Sequence, residues 1–302
     1  MNAALVLGVL ASAIASGTSL LYATLGEIVG ERAGIVNLGL EGIMLIGAAS
    51  GFAATAMTGN PFLGVTAAAL AGAAANLIFA YLVVGRQANQ LATGLTLMFF
   101  GLGLSALIGR PFVGTLIAGL PKLRILGLGS MGDPLTAYDG LVYLVVPTAI
   151  LIWWLLFRTT WGLGLRAVGE SPVAAVAAGL RPGRLRYQAL ALAGLLGGIA
   201  GAHLSLALTL TWEEGMTAGR GFIAIALVIF AKWNPLWAIA GALLLGAAES
   251  LQLQLQAAGA DVSPFIMNMI PYLLTLLVLI IWGWSRQAAA PAALGRNFVG
   301  VE

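Results

Sequence analysis

Long apolar runs, separated by short clusters of charged residues, Gly and Pro, dominate the sequence. A helix needs about 20 predominantly apolar residues to cross the hydrocarbon core of a bilayer. Nine runs approach or exceed this length, at 3–22, 33–57, 62–85, 88–109, 141–157, 188–210, 219–233, 236–256 and 265–284. The pattern predicts an all-α fold, a polytopic membrane helix bundle with about nine transmembrane helices. The run 219–233 is the shortest of the nine.

The composition also indicates an integral membrane protein. Hydrophobic residues make up 60% of the chain and charged residues 8%, whereas soluble domains carry about 25% charged residues. The chain has no cysteine, which excludes thiolate metal sites, cysteine nucleophiles and disulfides. It has no GxxxxGK(S/T) motif either, so it cannot bind ATP through a P-loop. We therefore expect neither a cofactor nor a metal in this chain.

The positive charges are concentrated in one loop. Residues 158–187 contain five arginines and a single glutamate, and the positive-inside rule places such a loop in the cytoplasm. Alternation across nine spans puts all the Lys and Arg residues inside except Arg110, Lys122, Arg124 and Arg220, that is 10 of 14. The charge then reflects orientation in a bilayer rather than a nucleic-acid partner. We expect a bacterial inner-membrane protein with its N-terminus outside and its C-terminus in the cytoplasm.

Polar residues inside the apolar runs are the candidates for function, because an ionised side chain at membrane depth costs about 2.5–3.5 kcal/mol. Glu41 lies four residues after Asn37, on the same helix face, among several glycines. This favours a broken or closely packed helix beside a cavity. Glu41 could be hydrogen-bonded to nearby backbone, or it could line a translocation path. The full set of path candidates is Asn37, Glu41, Asn89, Gln90 and Asn268.

An enzymatic site is not indicated. His203 is the only histidine, and Ser205 lies two residues after it. Residues i and i+2 of a helix point in different directions, so the two side chains cannot share a proton. A packed histidine is the favoured interpretation, and we expect that the chain is not an enzyme. Glu249 is expected to hydrogen-bond between helices.

A short helix is predicted within the loop 158–187. Ser171 and Pro172 are typical of a helix start, and Gly179 of its end, with Pro182 beyond it. The apolar segment between them is too short to span a bilayer and too apolar for a solvated loop, so it could lie flat on the membrane or dock on another protein. Docking is favoured, because alanines stand where a membrane-surface helix would carry larger apolar side chains. The residues assigned to this docking are Arg166, Gly169, Glu170, Ser171, Pro172, Ala175, Ala178 and Gly179.

Four stretches resemble one family of transport proteins. They are GEIVGERAGIVNLGLEGIMLIGA (26–48), NQLATGLTLMFFGLG (89–103), GLGLRAVGESPVAAVAAGL (162–180) and RGFIAIALVIFAKWNP (220–235). They are similar to the permease subunits of bacterial ABC importers, in the simple-sugar and nucleoside branch of the ribose/branched-chain amino acid permease superfamily. The resemblance runs through about residues 15–285, in the family's order.

This resemblance implies an architecture and a set of partners. Residues 1–285 would form one permease domain, 158–187 its cytoplasmic coupling loop, and 286–302 a C-terminal tail. The helix Pro172–Ala178 would couple to a cytoplasmic ABC ATPase, which binds the ATP. A second, related but non-identical permease and an external substrate-binding protein would complete an importer for a nucleoside or a simple sugar. An ATP-independent secondary transporter or channel for small polar solutes is the alternative.

Overall fold

A computed structural model describes residues 3–124, 137–257 and 290–296, together with positions 269, 273, 276, 277 and 280. Asn268 lies outside the described residues, so its predicted place near the path stays a prediction. The helices are α1 Ala3–Arg32, α2 Leu40–Thr58, α3 Pro61–Ala80, α4 Gln90–Gly109, α5 Gly140–Arg158, α6 Thr160–Glu170, α7 Pro172–Ala177, α8 Pro182–His203, α9 Arg220–Phe230 and α10 Pro235–Ala257. A π turn, Tyr81–Gly85, extends α3, and another, Leu204–Leu208, extends α8.

The predicted all-α membrane bundle is confirmed. Within the described residues, six helices are long and apolar enough to cross a membrane. The only strands in that part of the chain are β1 Lys122–Arg124 and β2 Ala137–Asp139, which pair antiparallel. The total of nine transmembrane helices is not confirmed and stays a prediction.

Three predicted boundaries were wrong, all of them near charged residues. Helix α1 continues to Arg32, although the apolar run ends near residue 22, and α2 begins at Leu40 rather than near residue 33. Helix α8 begins at Pro182, six residues before its apolar run. Charged side chains remain inside these helices because they find partners. Arg186, for example, is 2% exposed and donates from Nε to the carbonyl of Ala33, at 3.2 Å.

Small residues bring the central helices into backbone contact, as is common where membrane helices pack together. Helices α2, α3 and α8 meet around Gly198. A Cβ atom at that position would lie 2.1 Å from the carbonyl oxygen of Ala68 on α3. A Cβ at Gly47 on α2 would lie 2.5 Å from the carbonyl oxygen of Gly198. Side chains larger than hydrogen are therefore excluded at this three-helix junction.

The two ends of the bundle can be told apart by their contacts. At one end, called here the α6–α7 face, the carbonyl of Arg32 packs on Gly169 of α6, and Gln90 begins α4. At the other end, the ring of Trp212 packs on Gly109, the last residue of α4.

The chain crosses between these two ends after Trp212. It runs as a non-helical segment to Gly219 and continues as α9, and then Arg32 Nε donates to the carbonyl of Trp233 at 3.0 Å. With 11 residues, α9 is about 16 Å long and spans only half of a bilayer by itself. The shortest predicted run, 219–233, therefore forms only the helical half of a crossing, and the non-helical residues before Gly219 form the other half.

Candidate functional site

The carboxylate of Glu41 accepts hydrogen bonds at the start of α9. Its Oε1 accepts from the Thr217 hydroxyl at 2.6 Å and from the Gly219 amide at 2.8 Å. Its Oε2 accepts from the Gly221 amide at 2.6 Å. The first amides of a helix lack partners within the helix and carry a partial positive charge. Glu41, near the start of α2, therefore caps a helix that lies about 180 residues further along the chain.

This cap lies in the middle of the bundle. A Cβ at Gly101, halfway along α4, would lie 2.5 Å from Cα of Gly42, the neighbour of Glu41. The backbone of α9 also approaches closely, since a Cβ at Gly221 would lie 2.6 Å from the Glu41 backbone. Glu41 itself is 7% exposed. Glu41 is therefore hydrogen-bonded to backbone groups, which was one of its two predicted roles. A role at the translocation path remains a proposal.

Asn37 belongs to a buried amide network that joins three elements. Its Nδ2 donates to Oδ1 of Asn76 on α3 at 2.8 Å, and Asn76 Nδ2 donates to the carbonyl of Leu190 on α8 at 2.6 Å. Asn37 Oδ1 accepts from the backbone amide of Gly39 at 2.8 Å, and the backbone amide of Asn37 donates to Oε1 of Glu27 at 3.0 Å. The non-helical segment 33–39 between α1 and α2 is thus held by side chains, which satisfy the backbone groups that a helix would otherwise satisfy.

Sequence reasoning missed the two carboxylates of α1. Glu27 and Glu31 are 2% and 3% exposed and lie one helical turn apart. Glu31 Oε2 accepts from the indole Nε1 of Trp233 at 2.5 Å. Both residues lie between the predicted apolar runs 3–22 and 33–57, because charge interrupts the apolar pattern there. Their spacing of four, with Ile28 and Val29 between them, was the available sign of one polar helix face.

The remaining path candidates lie at the start of α4. Asn89 is exposed and caps the helix, since its Oδ1 accepts from the Ala92 amide at 3.0 Å. Gln90 is 2% exposed and connects two segments: Oε1 accepts from the Val36 amide at 3.0 Å, and Nε2 donates to the carbonyl of Arg296 at 3.3 Å. The structure thus brings Asn37 and Gln90 to the same segment 33–39, while the Asn89 side chain is exposed at the start of α4.

The predicted short helix is confirmed as α7. Ser171 Oγ accepts from the Ala174 amide at 3.2 Å, as an N-cap does. At the other end, the Gly179 amide donates to Val176 and the Leu180 amide to Ala175, each at 2.9 Å, and Gly179 has a φ of 80°. These two bonds form a Schellman motif, which the glycine makes possible.

The outer surface of α7 differs from the predicted docking set. Ala175 is 2% exposed and faces its own chain, as does Pro172. Docking through the Ala175 side chain is therefore excluded in this conformation. The exposed side chains of α7 and its C-cap are Val173, Ala174, Ala177 and Ala178.

The polar flanks of α7 have partners within the chain. The guanidinium of Arg166 lies 5.0 Å from the centre of the Phe157 ring, and Arg32 lies 5.5 Å from it. Glu170 Oε2 accepts from the Ala292 amide at 3.2 Å, and the carbonyl of Gly169 accepts from the Ala293 amide at 2.9 Å.

Other polar groups have structural partners. His203 is fully buried, with Nε2 3.4 Å from Oδ2 of Asp139, which caps α5, whereas Ser205 donates to the carbonyl of Ala48 at 3.0 Å. Burial acts to raise the pKa of the Asp139 carboxyl, but His203 and two backbone amides outweigh it and lower that pKa. Glu249 pairs with Arg220 between α10 and α9, which confirms its predicted role. Arg220 is the first residue of α9, and its predicted place on the outer side of the membrane stays a prediction.

Comparison with known proteins identifies the family. Residues 9–281 match the family described as permease components of branched-chain amino acid transport systems. The chain belongs to this family. The permease is 38% identical to TsgC13 of Haloferax volcanii, which carries the name of a glucose ABC transporter permease protein, over 96% of this chain and 97% of that one.

Two further relatives have nucleosides in their names. The guanosine ABC transporter permease protein NupQ of Bacillus subtilis is 33% identical, over 93% of this chain and 92% of its own. The nucleoside ABC transporter permease protein NupC of Lactococcus lactis is 34% identical, over 96% of both chains.

A solved structure supports the fold. An ABC transporter of metal-chelate type, in an inward-facing conformation, has a TM-score of 0.51 at 15% identity, covering 91% of this chain and 85% of that one. The expected fold and family are thus confirmed: the chain is a multi-pass membrane protein and an ABC importer permease.

Proposed function

We propose that this permease translocates a nucleoside or a simple sugar by alternating access, driven by a separate ABC ATPase. The observation that carries the proposal is α7, a helix capped at both ends whose exposed surface consists of Val173, Ala174, Ala177 and Ala178. Val173 is 68% exposed. A surface of small apolar side chains suits close docking in a groove of another protein better than insertion in a bilayer.

The partners follow from this docking surface and from the relatives. The ATPase would bind ATP and receive α7, so this chain would need neither a cofactor nor catalytic residues. A second, related permease and an external substrate-binding protein would complete the importer. ATP binding and hydrolysis would shift the equilibrium between conformations that open to opposite sides.

The broken crossing formed by residues 212–230 is the best candidate to move or to line the path. Broken helices at mid-membrane depth are typical of transport sites. Here Glu41 neutralises the positive N-terminus of α9, and this arrangement favours an uncharged solute over an anion. Asn37, Glu41 and Gln90 would then hold the elements beside the path. Asn89 and Asn268 remain candidates for contact with the solute.

The substrate class rests on the relatives, whose names specify glucose, guanosine and nucleosides. Nucleosides are our first choice and simple sugars the second. Competition for uptake of radiolabelled guanosine by unlabelled uridine, glucose and leucine ranks the classes. Displacement by leucine but not by the nucleoside or the sugar would contradict this choice.

The proposed orientation places the α6–α7 face in the cytoplasm of a bacterial cell, with the C-terminus there and the N-terminus outside. The chain has no native cysteine, so single cysteines report location without background. Leu116 is 80% exposed near the opposite end, and Ala290 is exposed near the α6–α7 face. An impermeant maleimide added to intact cells should label Leu116→Cys and spare Ala290→Cys. The reverse result would invert the orientation.

Reconstitution tests the function itself. The permease, its ATPase and the companion permease are placed in liposomes, with the binding protein and labelled guanosine outside and nucleotide at the ATPase side. We expect uptake with ATP and none with a non-hydrolysable analogue. Equal uptake under both conditions would contradict the proposal and favour the alternative of an ATP-independent transporter or channel.

A further inference from the structure

Residues 291–296, called here the C-terminal turn, are hydrogen-bonded to the α6–α7 face, whereas the family resemblance implied only a C-terminal tail over 286–302. Two backbone hydrogen bonds form within the turn. The Leu294 amide donates to the carbonyl of Pro291 at 2.9 Å, and the Arg296 amide donates to the carbonyl of Ala293 at 3.1 Å. Ala293 is 7% exposed, and Leu294 packs against the main apolar core. The turn is therefore an integral part of this face.

The turn bonds first to the end of α6, directly before α7. The carbonyl of Gly169 accepts from the Ala293 amide at 2.9 Å, and Glu170 Oε2 accepts from the Ala292 amide at 3.2 Å. A carbonyl in the last turn of a helix has no partner within that helix. The turn supplies one to Gly169, two residues before the N-cap of α7.

The same turn bonds to the segment 33–39 and to α4. The Gly295 amide donates to the carbonyl of Gly34 at 3.2 Å, and the carbonyl of Arg296 accepts from Gln90 Nε2 at 3.3 Å. Gln90 in turn accepts from the Val36 amide. Asn37, which follows Val36, belongs to the buried amide network, and Glu41 lies four residues further on, near the start of α2.

We infer that the C-terminal turn positions the α6–α7 hinge against the segment 33–39 and α4, so that displacement of α7 is transmitted to the elements beside the path. The inference rests on the proposed function, because it assigns the turn a part in coupling. Gly169 also packs directly on the carbonyl of Arg32. That contact only prevents α6 from moving closer to the end of α1, whereas the hydrogen bonds of the turn also resist separation of α6 from the segment 33–39. Motion of α7 in either direction would therefore reach the network.

Two neighbouring alanines allow a matched test. Ala293 is buried between the elements that the turn joins, and Ala290 is exposed just before the turn. Ala293→Trp should displace the turn, and Ala290→Trp adds the same side chain where there is space. Each variant is assembled with its ATPase and companion permease in liposomes. Solute uptake and ATP hydrolysis are measured per assembled complex.

We expect Ala293→Trp to lower the ratio of solute taken up to ATP hydrolysed at least tenfold, while assembly and hydrolysis continue. Ala290→Trp should keep the parental ratio within twofold. A parental ratio in Ala293→Trp would overturn the inference. If that variant fails to assemble, a chain ending at Ala290 is compared with one ending at Arg296. Parental coupling without the turn, or failure of the shorter chain to assemble, would overturn the inference as well.

The parental complex separates this inference from the proposed function. If parental uptake does not require ATP, the proposed function fails. If parental uptake requires ATP and Ala293→Trp remains fully coupled, only the role of the turn fails.

Discussion

Helices α7 and α9 are both too short to cross a bilayer, yet they are held in opposite ways. Helix α7 is capped by the residue directly before it, Ser171, and ended by its own Gly179. Helix α9 is capped by Glu41, which lies about 180 residues earlier in the chain. The first lies at the surface and the second inside the bundle.

The difference follows from what surrounds each helix end. At a surface, water can hydrogen-bond to the helix-end amides that a side-chain cap does not reach, so one hydroxyl is enough. In the bundle interior water is excluded, and each unpaired amide costs about 1–3 kcal/mol. One carboxylate that accepts from three donors meets this requirement and also complements the positive end of the helix.

The largest effect is expected from Ala174→Arg on the exposed side of α7. An unpaired arginine buried in an apolar contact costs about 3–5 kcal/mol, which corresponds to a loss of docking of about 100-fold or more. Binding of the purified ATPase to the permease and ATP-driven uptake should both be lost, while insertion stays normal. Ala174→Ser, which keeps the side chain small, should behave as the parent. Normal ATPase binding by Ala174→Arg would rule out α7 as the docking surface.

An intermediate effect is expected from Glu41→Gln. The amide keeps one accepting oxygen but turns an NH2 group towards a backbone donor at the start of α9. This mismatch should lower the free energy of unfolding by about 1–3 kcal/mol. Uptake at equal protein level should fall about tenfold, equivalent to about 1.4 kcal/mol. The measurements are thermal unfolding in detergent and uptake in liposomes.

The matched control for Glu41→Gln is Glu249→Gln, which changes the carboxylate on α10 that pairs with Arg220, the first residue of α9. The Glu249 side chain is 23% exposed and its partner Arg220 is 17% exposed, so solvent screens the pair, and we expect a loss below about 1 kcal/mol. If Glu41→Gln lowers the free energy of unfolding no more than Glu249→Gln does, the cap on α9 is not needed for stability. If uptake by Glu41→Gln is also no lower than uptake by Glu249→Gln, Glu41 is removed from the set of path residues.

Features that depend on neighbouring residues could be predicted from the sequence, whereas contacts between distant parts of the chain could not. The caps of α7 could be predicted because Ser171, Pro172 and Gly179 act within a few residues of themselves. The same local logic led to errors at α1, where Glu27 and Glu31 interrupt an apolar run. Their partners, the Asn37 amide and the Trp233 indole, come from other parts of the chain. Single-sequence patterns cannot identify such partners, because only the folded bundle brings them together.

The contacts of the C-terminal turn were likewise not predictable, for a different reason. Its contacts with Gly34, Gly169 and Glu170 are made almost entirely by backbone groups. Backbone amides and carbonyls are present at every residue, so they leave no mark on composition or spacing.

The smallest effect is expected from Ser171→Ala, which tests the local cap in isolation. Loss of a serine N-cap costs about 1 kcal/mol, so the open form of α7 should become about five times more populated. Amide hydrogen exchange across residues 169–180 should accelerate by that factor, and uptake should fall by no more than the same factor, because docking on the ATPase re-forms the helix. Ser171→Asn keeps an accepting side-chain oxygen at the cap and should exchange at the parental rate. Exchange that is equally fast in both variants would mean that α7 is held by its packing through Pro172 and Ala175, not by its cap.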